Sequence, residues 1–170
     1  MIRQATEQDL EGILHIYNDA ILRTTAVYAY EAQTIEQRKE WFAQKQADGF
    51  PVFVFDVNGK VAGFATFGHF RTWPAYKYSA EHSIYVDGRY RKKGIGSQLL
   101  RAIIDEASAR EVKTLIGGID AANEKSIALH KKFGFTHSGT ITNAGYKFES
   151  WLDLAFYQLD LDGPIEPTEQ

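Results

Sequence analysis

The chain has 170 residues, 44% of them apolar and 24% charged, which is enough for one well-buried core and short for two. Nineteen Lys and Arg against 22 Asp and Glu leave a net charge of −3, so no global basic field exists to recruit nucleic acid or an anionic membrane. The absence of cysteine excludes disulfides, thiolate zinc sites and a cysteine nucleophile, and it fits a reducing compartment. The opening "MIRQATEQDL" has neither the apolar core of a signal peptide nor the length of a spanning helix, so a cytoplasmic protein is expected. Five histidines, His15, His69, His82, His130 and His137, lack close ligand pairs, and metal-free chemistry is expected.

Helices and strands alternate along the chain without a low-complexity linker or an internal repeat. After a short apolar start, Thr6 to Asp9 reads as an N-cap, and Leu10, Ile13, Leu14, Tyr17 and Ile21 recur at helical spacing. Thr34 to Gln37 has the spacing of a capping box for a second helix that stops near Gly49-Phe50-Pro51. "VFVFDVNGKVAGFATF" reads as a hairpin turning at Asn58-Gly59. A strand from about Glu81 to Val86 leads into the loop "YRKKGIGS", and a helix from Ser97 to Arg110 places Leu99, Leu100, Ile103, Ile104 and Ala107 on one stripe. "TLIGGI" is a strand, "NEKSIALHKKF" a helix ending at Gly134, and "THSGTITN" and "WLDLAFYQLDL" are strands closing the sheet. A single domain over 1–161 is expected, followed by a frayed tail over 162–170.

The loop can be tested against three phosphate cradles. Gly94-Ile95-Gly96-Ser97 lacks the lysine that a P-loop requires after its second glycine. A dinucleotide fingerprint is disfavoured by Leu99, where a small residue is needed, and by the six residues Asp87 to Lys92 between strand and glycines. There remains a helix N-terminus whose free N–H groups favour an anion, with Arg91, Lys92 and Lys93 adding charge, and a diphosphate fits it. Taken alone, the same residues also fit a basic turn whose glycines serve only backbone geometry.

Arg91-Lys92-Lys93-Gly94-Ile95-Gly96 resembles the Arg/Gln-x-x-Gly-x-Gly/Ala signature of the GNAT superfamily of acyl-CoA-dependent N-acetyltransferases. "AEHSIYV" before it, "NEKSIALHKKFGF" after it and "NAGYKFESWLDLAFYQ" near the end are similar to the phosphinothricin and methionine sulfoximine branch, over roughly residues 2 to 161. The resemblance implies an α/β (α+β) fold: a mixed, mostly antiparallel central sheet with a splayed central strand pair and helices on both faces. It also implies acetyl-CoA as co-substrate, with the amides of Arg91 to Ser97 on the pyrophosphate and the backbone of Ile84, Tyr85 and Val86 on the pantetheine.

An amine attacks a thioester only when neutral, so the site needs a base. Glu81 is the candidate, a role that a glutamate in this place has in the phosphinothricin branch; the alternative is an exposed strand-end carboxylate. Strand alternation sends His82, its competitor, to the opposite face. Asn123, Ser126 and His130 lie at i, i+3 and i+7 of one helix, so they share a face that can line the cofactor. Many superfamily members carry tyrosine at the His130 position as the acid for the thiolate. The phosphinothricin branch has histidine there, and an imidazole near its ordinary pKa can donate at neutral pH. Asn123 also reads as the N-cap of its helix.

The segment "GHFRTWPAYKYS" reads as a pocket wall, with Arg71 placed to clamp a carboxylate and Tyr28 and Tyr76 to shape the side-chain pocket. Satellite-core aromatics and a solvated Arg71 are the alternative reading of the same residues. The resemblance further implies a homodimer in which residues near Lys147 of one subunit reach the other's pocket. The acceptor expected is the α-amine of a small amino acid or toxic analogue such as phosphinothricin, methionine sulfoximine or sulfone. An aminoglycoside, a protein N-terminus, or a coenzyme A binding module without catalysis are the alternatives.

Overall fold

The computed structural model describes residues 1–170. Its elements in chain order are β1 (Ile2–Gln4), α1 (Leu10–Arg23), α2 (Ile35–Ala47), β2 (Val52–Val57), β3 (Lys60–His69), β4 (Ser79–Val86), α3 (Ile95–Ala109), β5 (Thr114–Asp120), α4 (Glu124–Lys132), β6 (Thr136–Lys147) and β7 (Ser150–Asp160). The seven strands form one sheet in the order β1-β2-β3-β4-β5-β7-β6. Pairings β1/β2, β2/β3, β5/β7 and β6/β7 are antiparallel, and β4/β5 is parallel. The chain divides into two compact units, Met1–Gly68 with Ser83–Glu106, and His69–His82 with Ala107–Gln170, so β4 contributes residues to both.

In the first unit the local signals act as expected. Thr34 caps α2 by accepting from the Gln37 amide while the Gln37 side chain accepts from the Thr34 amide. Asn58 and Gly59 both have positive φ, 51° and 81°, the geometry a two-residue hairpin turn requires. Leu10, Ile13 and Ile16 of α1 and Phe42 of α2 pack with Val52, Val54 and Phe64 of the β2/β3 hairpin. Gly63, adjacent to Phe64, therefore faces the other side of the sheet. A Cβ there would lie 3.0 Å from Leu99 Cδ1 and 3.3 Å from Ile95 Cγ2, so α3 rests directly on the glycine. Helices thus cover both faces of this half of the sheet. All five residues of the expected α3 stripe are buried, with Leu99, Leu100, Ile103 and Ala107 at 0% exposure.

Two polar features tie the first unit together. Arg3 on β1 bonds both carboxylate oxygens of Asp9, at 2.8 and 2.9 Å, and also reaches Asp56 at the end of β2. The guanidinium holds Asp9 below the ordinary carboxylate range. Buried Arg38 has its guanidinium 4.1 Å from the centroid of Tyr17 and 4.3 Å from that of Trp41, a double cation–π stack that offsets part of its desolvation.

In the second unit β7 pairs with β5 over the whole of Thr114–Asp120 and with β6 on its other edge. β6 runs beyond the expected "THSGTITN" to Lys147, with register shifts at His137/Gly139 and Ile141/Gly145. Its hairpin to β7 turns at Phe148 and Glu149, both left-handed at φ 51° and 59°, residues without a turn signature. The tail, expected to fray, has no regular structure but is held. Lys77 Nζ donates to the Gln170 carbonyl at 2.9 Å, and the Thr168 amide donates to the Tyr78 hydroxyl at 3.0 Å. Those partners come from a segment distant in sequence, which local composition does not reveal.

Truncating Leu99, which is 0% exposed and lies over Gly63 of β3, to alanine is expected to cost about 2–5 kcal/mol. Urea unfolding followed by circular dichroism measures it as a lower midpoint with an unchanged slope.

Candidate active site

The first unit carries an anion cradle. Asp87 follows β4: its amide donates to the Ala62 carbonyl at 2.9 Å, and its carboxylate accepts from the Arg89 amide at 2.9 Å and from Arg89 Nη2 at 2.6 Å. The chain then turns through Lys92 and Gly94, both left-handed at φ 65° and 74°, and enters α3 at Ile95. A bond from the Gln98 amide to the Gly94 carbonyl is the first i to i−4 bond of α3, so the amides of Ile95, Gly96 and Ser97 have no i−4 partner within the helix. A Cβ on Gly94 would meet nothing within 4 Å, so the loop is open at that point. Arg91, Lys92 and Lys93 are exposed around it. Free amides, a helix N-terminus and three cations in an open turn fit a diphosphate. On β4, the Tyr85 ring packs against Tyr17 and Phe64, with centroids at 5.5 and 5.1 Å. Ring packing thus occupies the Tyr85 side chain.

The second unit carries titratable groups. β4 and β5 are registered over Ser79–Glu81 and Thr114–Ile116, and both strands continue past that point, to Val86 and Asp120. Glu81 is the last registered residue of β4, where the ladder ends. Its Oε2 lies 3.5 Å from where a Cβ of Gly118 would stand. Burial pushes the carboxyl above its ordinary value, and the charge of Arg71 opposes that rise, so the two side chains are electrostatic neighbours. Phe70 packs against both Tyr76 and Phe156, with centroids at 5.9 and 6.3 Å, and the Arg71 guanidinium lies 5.3 Å from its ring. Arg71 itself is exposed.

On the opposite face, as alternation requires, His82 is buried and meets His130 of α4. Their Nε2 atoms are 2.9 Å apart and their rings stack at 28°. His130 Nδ1 lies 2.7 Å from the Ser126 carbonyl, and Phe135 closes on both rings with centroids at 5.5 and 5.0 Å. Asn123 caps α4 by accepting from the Ser126 amide at 3.2 Å, so the expected trio of Asn123, Ser126 and His130 is joined end to end. Both imidazoles fall below the ordinary histidine range because burial penalises the cation; His82 drops to about 3. An imidazole near its ordinary value was expected at His130, and its burial among His82, Phe135 and Ser126 is what overturns that.

His82 as a partner of His130 is the feature that sequence reasoning missed. The signal was Gly117-Gly118 in a strand interior, which marks close approach of another group. A Cβ on Gly117 would lie 3.0 Å from His82 Cε1 and 3.5 Å from His130 Nε2. Tyr28, 37% exposed, follows α1 in the first unit, whereas Arg71 and Tyr76 belong to the second. Lys147 ends β6 at 4% exposure with its ammonium 5.1 Å from the Phe148 ring, and burial lowers its pKa. No group of three or more His, Cys, Asp or Glu is arranged to hold a metal ion, and no helix is long and apolar enough to cross a membrane.

A family model described as an acetyltransferase (GNAT) domain matches residues 2–156, and the chain belongs to the GNAT acetyltransferase family. Within it the chain is an acetyl-CoA-dependent N-acetyltransferase. It is 41% identical to the L-methionine sulfoximine/L-methionine sulfone acetyltransferase of Pseudomonas paraeruginosa, over 95% of this chain and 94% of that one. It is similar to an N-acetyltransferase from Staphylococcus aureus Mu50, with 62% identity, a TM-score of 0.95 and coverage of 95% and 98%. A phosphinothricin acetyltransferase from Sinorhizobium meliloti in complex with AcCoA shares 34% identity and a TM-score of 0.94, over 99% of this chain and 93% of that one.

The raised pKa of Glu81 has a thermodynamic signature. The unfolded chain releases this proton at lower pH than the folded one, so stability falls as pH rises from the ordinary value of 4.5 through the folded value. Glu81→Gln removes that penalty. Its urea midpoint is expected to exceed that of the parent at pH 7 and to coincide with it at pH 4 and below; a lower midpoint at pH 7 contradicts the reading.

Proposed function

We propose that the chain acetylates the α-amine of a small amino acid or a toxic analogue of the phosphinothricin, methionine sulfoximine or methionine sulfone type. The observation that carries this reading is the electrostatic pairing of Glu81 with Arg71 beside an aromatic cluster. An α-amino acid presents an ammonium and a carboxylate two bonds apart. Arg71 takes the carboxylate in charge-assisted hydrogen bonds, and the ammonium comes to the Glu81 carboxylate. Glu81 removes a proton, directly or through water, and the neutral amine attacks the thioester carbonyl. A carboxyl whose pKa is raised is a stronger base for that step than an ordinary glutamate. Arg71 repels a polycation, which disfavours an aminoglycoside acceptor.

The other residues take supporting roles. Amides from Arg91 through Ser97 hold the pyrophosphate, the backbone of Ile84, Tyr85 and Val86 pairs with the pantetheine, and Asn123 and Ser126 line the donor. Tyr28 and Tyr76 shape the acceptor side-chain pocket. His130 serves the departing coenzyme A thiolate once its pair with His82 gains a proton, because burial disfavours the charged form of the resting ring. The catalytic domain spans 1–161 and works as a cytoplasmic homodimer, in which Lys147 lies at the partner's pocket, and its biological role is detoxification. The names of relatives at 41% and 33% identity, acting on methionine sulfoximine or sulfone and on phosphinothricin, support the acceptor class.

A coupled thiol-release assay with acetyl-CoA tests the reading against amino acids, sulfoximines, sulfones, phosphinothricin, aminoglycosides and peptides. Turnover is expected with the amino-acid analogues; turnover confined to aminoglycosides or peptides refutes the acceptor. Glu81→Gln is expected to lower kcat by about 10²–10⁴ while leaving acetyl-CoA affinity unchanged by calorimetry. Arg71→Ala is expected to raise KM for the amino acid by about tenfold or more, the loss of a charged hydrogen bond, with KM for acetyl-CoA unaltered.

A further inference from the structure

His82 has no role in the acetyl-transfer reading, and the hydrogen positions of its pair with His130 follow from their neighbours. A carbonyl oxygen can only accept, so the 2.7 Å contact between His130 Nδ1 and the Ser126 carbonyl requires the proton on Nδ1. In the neutral ring this leaves a lone pair on His130 Nε2. The 2.9 Å contact to His82 Nε2 then requires the proton on His82 Nε2. His82 Nδ1 is left bare, and it is the buried ring nitrogen without a hydrogen-bond partner. The orphaned atom is thus the one that this assignment leaves without a proton.

We propose that His82 is a positioning residue: its Nε2–H holds His130 as the Nδ1–H tautomer in a single ring orientation, in the space left open by the missing side chain of Gly117. Three constraints converge on that orientation. Ser126 sets one nitrogen of His130, His82 sets the other, and Phe135 packs edge-on against the His130 ring at 82°. The charged neighbours are placed elsewhere. Glu81 projects to the opposite face of β4, while Lys131 and Lys132 are exposed beyond His130 on α4. His130 Nε2 is therefore filled by a donor in the resting protein and has no hydrogen to offer a thiolate until the pair gains a proton. The kinetic part of this inference rests on the acetyl-transfer reading; the tautomer part does not.

Two-bond ¹⁵N–¹H correlation spectra of the unaltered protein at pH 7 test it directly. The expected pattern is two neutral rings, with His130 protonated on Nδ1 and His82 on Nε2. A proton on His130 Nε2, or a cationic ring at either position, overturns it. Kinetics supply the second arm. His82→Leu removes the donor and is expected to lower kcat on the order of tenfold or more, with KM for acetyl-CoA unchanged. His82→Gln offers an amide N–H in the place of Nε2–H and is expected to recover most of that loss. Equal losses in both variants, or none in His82→Leu, show that the ring only fills space and refute the proposal. If no acceptor is turned over at all, the acetyl-transfer reading fails while the spectra still decide the tautomers.

Discussion

The structure depends on the end of the β4/β5 ladder. Parallel pairing between these strands stops at Glu81 and Ile116, and the next residues are His82 on one strand and Gly117-Gly118 on the other. Side chains on Gly117 and Gly118 would crowd His82 on one face and Glu81 on the other. Two missing Cβ atoms therefore let two titratable groups stand on opposite faces at the point where the strands stop pairing. Glycine in a strand interior is costly in conformational entropy; here it provides close approach on both faces at once.

Burial then sorts the charges. On one face Glu81 keeps a partner of opposite sign in Arg71, so its carboxylate remains accessible at neutral pH although desolvation raises its pKa. On the other face His82 and His130 have only each other, a backbone carbonyl and a phenyl ring, and the neutral forms win. One strand thus carries a half-buried carboxyl on one face and a buried imidazole on the other in consecutive residues.

The cradle in the first unit solves a different problem. Diphosphate binding needs several N–H groups pointing together without intrahelical partners, and the left-handed residues Lys92 and Gly94 turn the chain so that α3 begins with its amides open. Asp87 and Arg89 pin the loop's entry, while the Ile95 and Leu99 contacts with Gly63 pin its exit to the sheet. A lysine at a left-handed position is uncommon, and its strain is held by anchoring on both sides.

Much of the molecule is written locally. The capping box at Thr34, the Asn58-Gly59 turn, the α3 stripe and the Gly94 loop each depend on residues within a few positions of one another, so their physics is visible in the chain itself. The family and the acyl donor follow from the same kind of signal. Alternation also separates Glu81 from His82 without any coordinates. Tertiary structure decided the rest: that Arg71 lies within range of Glu81, that His82 finds His130 across 48 positions, that Phe148 and Glu149 turn left-handed, and that the tail is tied to Lys77 and Tyr78. Those outcomes depend on which distant groups a strand or helix brings together, and on how burial there reprices each charge. Periodicity can orient a side chain, but only packing determines what it meets and whether it stays ionised.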